Sequence, residues 1–253
     1  MIKCKICENE MLYVFSHKVI KKYEANYHIC KKCGFMNISD PFWLKEAYQQ
    51  PINETDTGLL KRNIQLHKKV IVLIYTFLDC EKNYLDYAGG YGVFTRLMRD
   101  AGFNFFHEDI YTKNIFASSY EFKKSDHLIS GITCFECFEH LIDPISEMEK
   151  MLAISSNIFL TTDLKPLEIP NKDWTYYGFE HGQHISFYSY ESLSNLASRF
   201  NLNLYSYKNF HFFTKKVINI RQFKKCLRNA GRLNNIFSSK AWYEEISKKV
   251  SLK

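Results

Sequence analysis

The feature that most constrains this chain is the alternation of short apolar runs with helical patterns from residue 83 onward. Residues 84–87, 103–106, 128–135 and 157–161 read as strands, while 93–101, 144–152 and 190–200 read as amphipathic helices. Strands joined by helical crossovers imply a parallel sheet with helices on its faces, an α/β architecture. Ahead of this region, 42–48 has a helical pattern, 50–58 is a polar break, and an amphipathic helix runs from about Leu59 to Leu78. The 253 residues suffice for one large domain, or one domain plus a small module. The expected organisation is a module over 1–40, a helical connector and active-site lid over 41–80, the main domain over 81–215, and a basic helical tail over 216–253.

Four of the eight cysteines fall in the first 33 residues, as two CxxC pairs: Cys4 with Cys7, and Cys30 with Cys33. A CxxC turn points two thiolates at one ion, and two such turns complete a tetrahedral Cys4 shell. Gly34 can take the positive φ that turns amides toward sulfur. Zinc is favoured over iron and over two disulfides, which a reducing compartment disfavours. His17 and His28 could substitute as ligands, although four well-spaced thiols make that unnecessary. A closed Cys4 shell is structural, and about forty residues bury too little core to fold without the metal. Cys134 and Cys137 end an apolar strand and read as half-buried core thiols.

The first strand of the main domain runs into Leu85-Asp86-Tyr87-Ala88-Gly89-Gly90-Tyr91-Gly92. Glycines at such a turn let the backbone pass under a ligand before the helix starts. The next strand ends at Asp109, 23 residues beyond Asp86, where an acid can hold a ribose diol. A dinucleotide-binding turn would repeat glycine as GxGxxG. Here the repeat stops at Gly92 and an acid precedes the turn. That arrangement suits S-adenosylmethionine (SAM), which has no pyrophosphate to cradle and carries a cationic amino-acid end. The alternative for Asp86 is an aspartate that caps the turn.

After the fourth strand comes Phe135-Glu136-Cys137-Phe138-Glu139-His140-Leu141-Ile142-Asp143-Pro144. With this element the chain resembles a class I SAM-dependent methyltransferase of the small-molecule branch, which carries E-H-L-x-D-P at this place. It is further similar to a bacterial group with an N-terminal zinc knuckle, associated with surface-polysaccharide or sugar modification. The matching segments, from the cysteines through Asp56-Thr57-Gly58 and the glycine turn to 174–189, cover most of residues 1–215. The resemblance implies a Rossmann-like fold with a mainly parallel seven-stranded sheet. It also implies SAM held by Asp86, Ala88, Gly89, Gly90 and Gly92, ribose contact by Asp109 with Ile110 beside it, and a cofactor wall containing Glu136. Ala88 departs from the pattern, which has glycine there.

The segment 173–187 follows the fifth strand, on the carboxyl side of the sheet where open α/β folds bind ligands. It gathers Tyr176, Tyr177, Glu180, His181, Gln183 and His184 around Gly178 and Gly182. A hydroxyl nucleophile benefits from a base with a pKa near 7, which histidine supplies. His181 and His184 are equal candidates for that base, and Glu180 could orient an imidazole or bind substrate. Alternatively His184 packs beneath the following helix with its ring satisfied by backbone. His140 reads as structural, pairing near the cofactor wall.

Composition bounds the remaining choices. No apolar run approaches the roughly 18 residues a membrane span needs, and the first residues show neither an h-region nor a cleavage site. A cytoplasmic protein without membrane contact is expected. The net charge of +7 reads as a basic solvated tail, and no basic-aromatic stripe favours nucleic acid. The expected activity is methylation of a small hydroxylated metabolite, with a sugar or activated capsule precursor as partner. O-methylation is favoured, with C-, N- and phosphoramidate-type methylation open. The competing readings are a zinc-ribbon RNA base methyltransferase and a non-catalytic zinc-knuckle binding protein. The intact set of Asp86, Gly90, Gly92 and Asp109 argues against the latter.

Overall fold

The computed structural model describes residues 2–49, 57–123 and 128–234. The polar break expected at 50–58 and the end of the basic tail lie largely outside the described residues. In chain order the elements are β1 (Met11–Val19), β2 (Tyr23–Cys30), β3 (Met36–Ile38), α1 (Leu44–Ala47), α2 (Leu59–Phe77), β4 (Asn83–Tyr87), α3 (Val93–Asp100) and β5 (Asn104–Glu108). They continue with β6 (Ile129–Phe135), α4 (Pro144–Leu152), β7 (Ile158–Thr161), β8 (Ser186–Phe187), α5 (Tyr190–Arg199), β9 (Asn203–Tyr207), β10 (Phe210–Thr214) and α6 (Ile220–Arg228).

The fold is α/β and Rossmann-like, with a mixed sheet of six strands in the order β5-β4-β6-β7-β10-β9. The resemblance implies seven strands. Beside β5, where another strand could add, there is only an isolated parallel bridge between His107 and Glu121. Residues 118–120 just before it form a 3-10 turn, so among the described residues the chain does not stay extended long enough to build a ladder there.

Two compact units emerge. The first comprises the described residues within 1–55, 135–153 and 159–215; the second comprises those within 56–134, 154–158 and 216–234. In the second unit β4 pairs in parallel with β5 and with β6. Its core includes Tyr84, Leu85, Phe105 and Ile132, together with Val70–Ile74 of α2. Five consecutive buried residues show that α2 is covered on more than one face.

The first unit contains a second sheet, ordered β1-β2-β3-β8. β1 and β2 form a hairpin whose turn places Ile20 and Lys21 at φ 53° and 55°. β2 and β3 are antiparallel neighbours joined through Cys30–Gly34, and β8 pairs with β3 through Met36 with Phe187 and Asn37 with Ser186. The cysteine-bearing sheet therefore takes its fourth strand from the end of the histidine-rich segment. Val19, Tyr27, Met36, Ile38, Trp43, Tyr177 and Phe187 share one buried cluster. The Trp43 indole donates to the Gly182 carbonyl at 2.8 Å, fixing that segment against the sheet.

Candidate functional site

The four N-terminal cysteines converge. Their sulfurs all lie within 4.8 Å of one another, with Cys4 to Cys33 at 3.6 Å and Cys7 to Cys30 at 3.4 Å. All four are free thiols. The two CxxC turns share one backbone form: the Glu8 amide donates to the Cys4 carbonyl at 2.9 Å and the Gly34 amide to the Cys30 carbonyl at 2.8 Å. Both residues have positive φ, 62° at Glu8 and 70° at Gly34. The Cys33 thiol, aided by nearby amides, brings Cys4 down to about 5 against the effect of burial. A group of thiols with one already ionised suits a tetrahedral cation. His17 and His28 instead bond the carbonyls of Lys18 and Asn26.

The glycine turn sits where β4 gives way to α3. Asp86 is 2% exposed and lies beneath the turn. One oxygen accepts from Thr95 and the other from Thr133, each at 2.9 Å. Burial pushes its carboxyl up to about 6 although both hydroxyls oppose the shift. Ala88 has φ 55°, a left-handed backbone that glycine would adopt without the ~1–2 kcal/mol penalty of a β-carbon. This explains glycine in the common pattern. Asp109 closes the arrangement from β5: its Oδ2 accepts from the Gly90 amide at 2.9 Å, and its Oδ1 from the amides of Tyr111 and Thr112 at 2.8 and 2.7 Å. The His107 ring Nε2 donates to the Gly90 carbonyl at 2.9 Å. A β-carbon at Gly90 would meet nothing within 4 Å, so the turn is open on that side. Ile110 and Tyr111 are each 78% exposed beside it in sequence.

The first unit carries a different constellation. Glu136 follows β6 with φ 50°, held by Thr161, whose hydroxyl accepts from the Glu136 amide and donates to its carboxylate at 2.7 Å. One 3-10 turn later Glu139 is 0% exposed, and neither of its carboxylate oxygens has a hydrogen-bond partner. The nearby hydroxyls of Thr162 and Tyr176 bond each other at 3.0 Å. Burial, reinforced by the charge of Glu136, pushes Glu139 up to about 8. His140 Nδ1 donates to the Gln183 carbonyl at 3.1 Å, and His184 Nδ1 to the Tyr176 carbonyl at 2.7 Å. Their rings lie 4.9 Å apart, edge to face. Burial lowers His140 to about 4 and takes His184 well below its ordinary value. Both imidazoles are therefore neutral at physiological pH, with Nε2 as the lone-pair nitrogen.

His181 joins this group, its ring 4.8 Å from that of His184, but its Nδ1 accepts from the Gln183 amide. The two histidines thus adopt opposite tautomers. Glu180 is exposed. The structure brings His181 and His184 together with Glu139, His140 and Tyr176. Sequence reasoning gave Glu139 no role. The signal available was the spacing of Glu136, Glu139 and His140, which one 3-10 turn brings to a single place.

A family model described as a methyltransferase domain matches residues 60–207. The chain belongs to that family. Among solved structures, the plantazolicin methyltransferase BpumL in complex with a monoazolic desmethylPZN analog and SAH is similar at a TM-score of 0.50 and 12% identity. That likeness covers 76% of this chain and 86% of BpumL. CalO1, a methyltransferase in calicheamicin biosynthesis in its SAH-bound form, is similar at a TM-score of 0.43 and 9% identity, covering 68% of this chain and 61% of CalO1. No curated protein matches the chain. The matched span of this methyltransferase begins after the cysteine segment and takes in both the glycine turn and the Glu139–His184 cluster.

Proposed function

We propose that this methyltransferase moves a methyl group from SAM to a hydroxyl oxygen of a small hydroxylated metabolite. A sugar or activated capsule precursor is the acceptor class, favoured by the likeness of the cysteine segment and the E-H-L-x-D-P element to sugar-modifying enzymes. The observation that carries SAM binding is the glycine turn. Gly90 presents open backbone, Asp109 is oriented by three amides, and exposed Ile110 offers an apolar edge for a base. Asp86 acts from beneath, through the turn. When bound, SAM supplies the electrophilic methyl group. The segment Glu180–His184 is assigned to the acceptor, with the Nε2 lone pair of His184 activating its hydroxyl while His181 and Glu180 orient it. Zinc in the shell of Cys4, Cys7, Cys30 and Cys33 completes the reading as a structural ion.

Calorimetry should detect binding of SAM or its demethylated product. Asp109→Ala should weaken that binding by roughly 1.5–3 kcal/mol, the worth of hydrogen bonds to a charged group. Turnover should appear with sugar nucleotides or related activated precursors rather than with RNA. Binding of a nicotinamide dinucleotide with no response to SAM would overturn the assignment. Turnover on RNA alone would replace the acceptor.

A further inference from the structure

Glu139 is a buried carboxyl group to which methyl-group chemistry gives no role. A carboxyl group taken wholly out of water costs several kcal/mol unless it is bonded or neutralised, and both of its oxygens are buried without a partner. The nearby hydroxyls of Tyr176 and Thr162 bond each other, and the Tyr176 oxygen also accepts from the Asp163 amide at 2.9 Å, so the pair has one hydroxyl hydrogen left to offer the carboxyl group. The nearby ligating groups are His140 and His184. One ligand atom from each of Glu139, His140 and His184 lies within 4.8 Å of the other two.

We propose that Glu139, His140 and His184 form a binding site for a divalent transition-metal ion, distinct from the four-cysteine cluster. Three features of the geometry support it. Neither Glu139 oxygen has a hydrogen-bond partner, yet one ligand atom of each of the three residues lies within 4.8 Å of the other two, close enough to surround one cation. Each imidazole gives its Nδ1–H to a backbone carbonyl, the outer contact that fixes the tautomer and aims Nε2 in ligating histidines. Third, the elements that supply the donors are locked: Ser186 donates to the Leu141 carbonyl at 2.7 Å, Tyr188 to the Phe138 carbonyl at 3.0 Å, and the Ile185 amide to the Glu139 carbonyl at 2.8 Å. These bonds hold the turn bearing Glu139 and His140 against the segment bearing His184.

Two imidazole nitrogens and one carboxylate oxygen suit zinc, iron, cobalt or nickel better than magnesium or calcium, which prefer all-oxygen shells. Three protein ligands leave a coordination position for water or a substrate oxygen, unlike the closed thiolate shell. The site deepens the proposed function and rests on it for its role: with the Nε2 lone pair of His184 given to the ion, the ion would activate the acceptor hydroxyl, and His184 would serve as its ligand in place of a direct base. Metal binding itself does not depend on that role.

The test is a titration of the full chain with cobalt(II), followed by visible absorption, alongside calorimetry with SAM. Wild type should bind one equivalent that shows ligand-field bands without a thiolate charge-transfer band. Glu139→Gln, which keeps shape and hydrogen-bonding capacity, and His140→Ala should each weaken that equivalent at least tenfold while SAM affinity is retained. Absence of a thiolate-free cobalt signal in wild type would overturn the proposal whatever the variants do, and so would a signal that both variants keep. Cobalt bound here without SAM binding would leave the metal site standing and remove methyl transfer. SAM binding without the cobalt signal would do the reverse.

Discussion

The glycine turn and the Glu139 cluster both place buried or half-buried carboxylates behind a strand end, but they treat them oppositely. At the turn, Asp86 receives two threonine hydroxyls and Asp109 three backbone amides. These carboxylates stabilise the loop without any ligand. In the cluster, Glu139 receives nothing, and two backbone carbonyls are used to set the tautomers of its histidine neighbours. The first region is a finished scaffold that can offer backbone to a cofactor. The second is completed by a proton, which burial holds on Glu139, or by a cation that replaces it. Each region contains a non-glycine residue at positive φ, Ala88 at 55° and Glu136 at 50°, and such strain persists only where the surroundings impose it.

The largest expected effect separates the two regions by function. His184→Ala should lower turnover by roughly 10²–10⁴-fold, the usual worth of an activating group, while leaving SAM affinity near that of wild type. His181→Ala should lose less, because its Nδ1 is occupied by the Gln183 amide. Single-turnover kinetics with the identified acceptor would check both. A larger loss at His181 than at His184 would transfer the activating role.

A smaller effect tests how finished the turn is. A β-carbon at Gly92 would come within 2.3 Å of the Asn114 side chain, and the residue has φ 84°. Gly92→Ala should therefore cost about 2–4 kcal/mol in urea unfolding, combining overpacking with the left-handed penalty. Gly90 also has positive φ but faces open space, so Gly90→Ala should cost only about 1–2 kcal/mol. Its SAM affinity should nevertheless fall, because the methyl group would occupy the side proposed for the cofactor. Equal unfolding costs at the two glycines would show that the turn is looser than its geometry implies. Unchanged SAM affinity in Gly90→Ala would place the cofactor elsewhere.

Legibility in the sequence followed the same division. The α/β alternation, the glycine turn and the paired cysteines could be read because each depends on local spacing. The β1–β2 hairpin could not: its turn uses Ile20 and Lys21 at positive φ, where Asn-Gly would have announced it. The two-residue strand β8 exists through its pairing with β3, across a sequence separation that periodicity does not span. Glu8 repeats the backbone role of Gly34 without being glycine. Glu139 could be seen as part of a motif, but its lack of partners depends on how Tyr176, Thr162 and the 183–188 segment pack. A pattern of residue types carries none of that information.

The smallest effect concerns Asp86 and probes the cost of the scaffold itself. Burial raises its carboxyl from the ordinary aspartate range to about 6, so the folded chain holds this proton more tightly than the unfolded chain does. Wherever the native state binds more protons, stability falls as pH rises. The contribution is therefore fully present below about pH 4 and lost as pH climbs through about 6, which leaves a buried charge at neutral pH held by Thr95, Thr133 and the nearby His107. Asp86→Asn cannot ionise. Relative to wild type it should gain on the order of 2 kcal/mol between pH 4 and pH 7, a little under the full linkage value for a two-unit shift because part of that value is already expressed at pH 4. Urea unfolding of both proteins across that range isolates the term, since other titrating groups cancel in the difference. A difference that stays flat with pH would mean that the two hydroxyls and His107 already compensate the buried charge. The turn would then be as fully satisfied electrically as it is in hydrogen bonds.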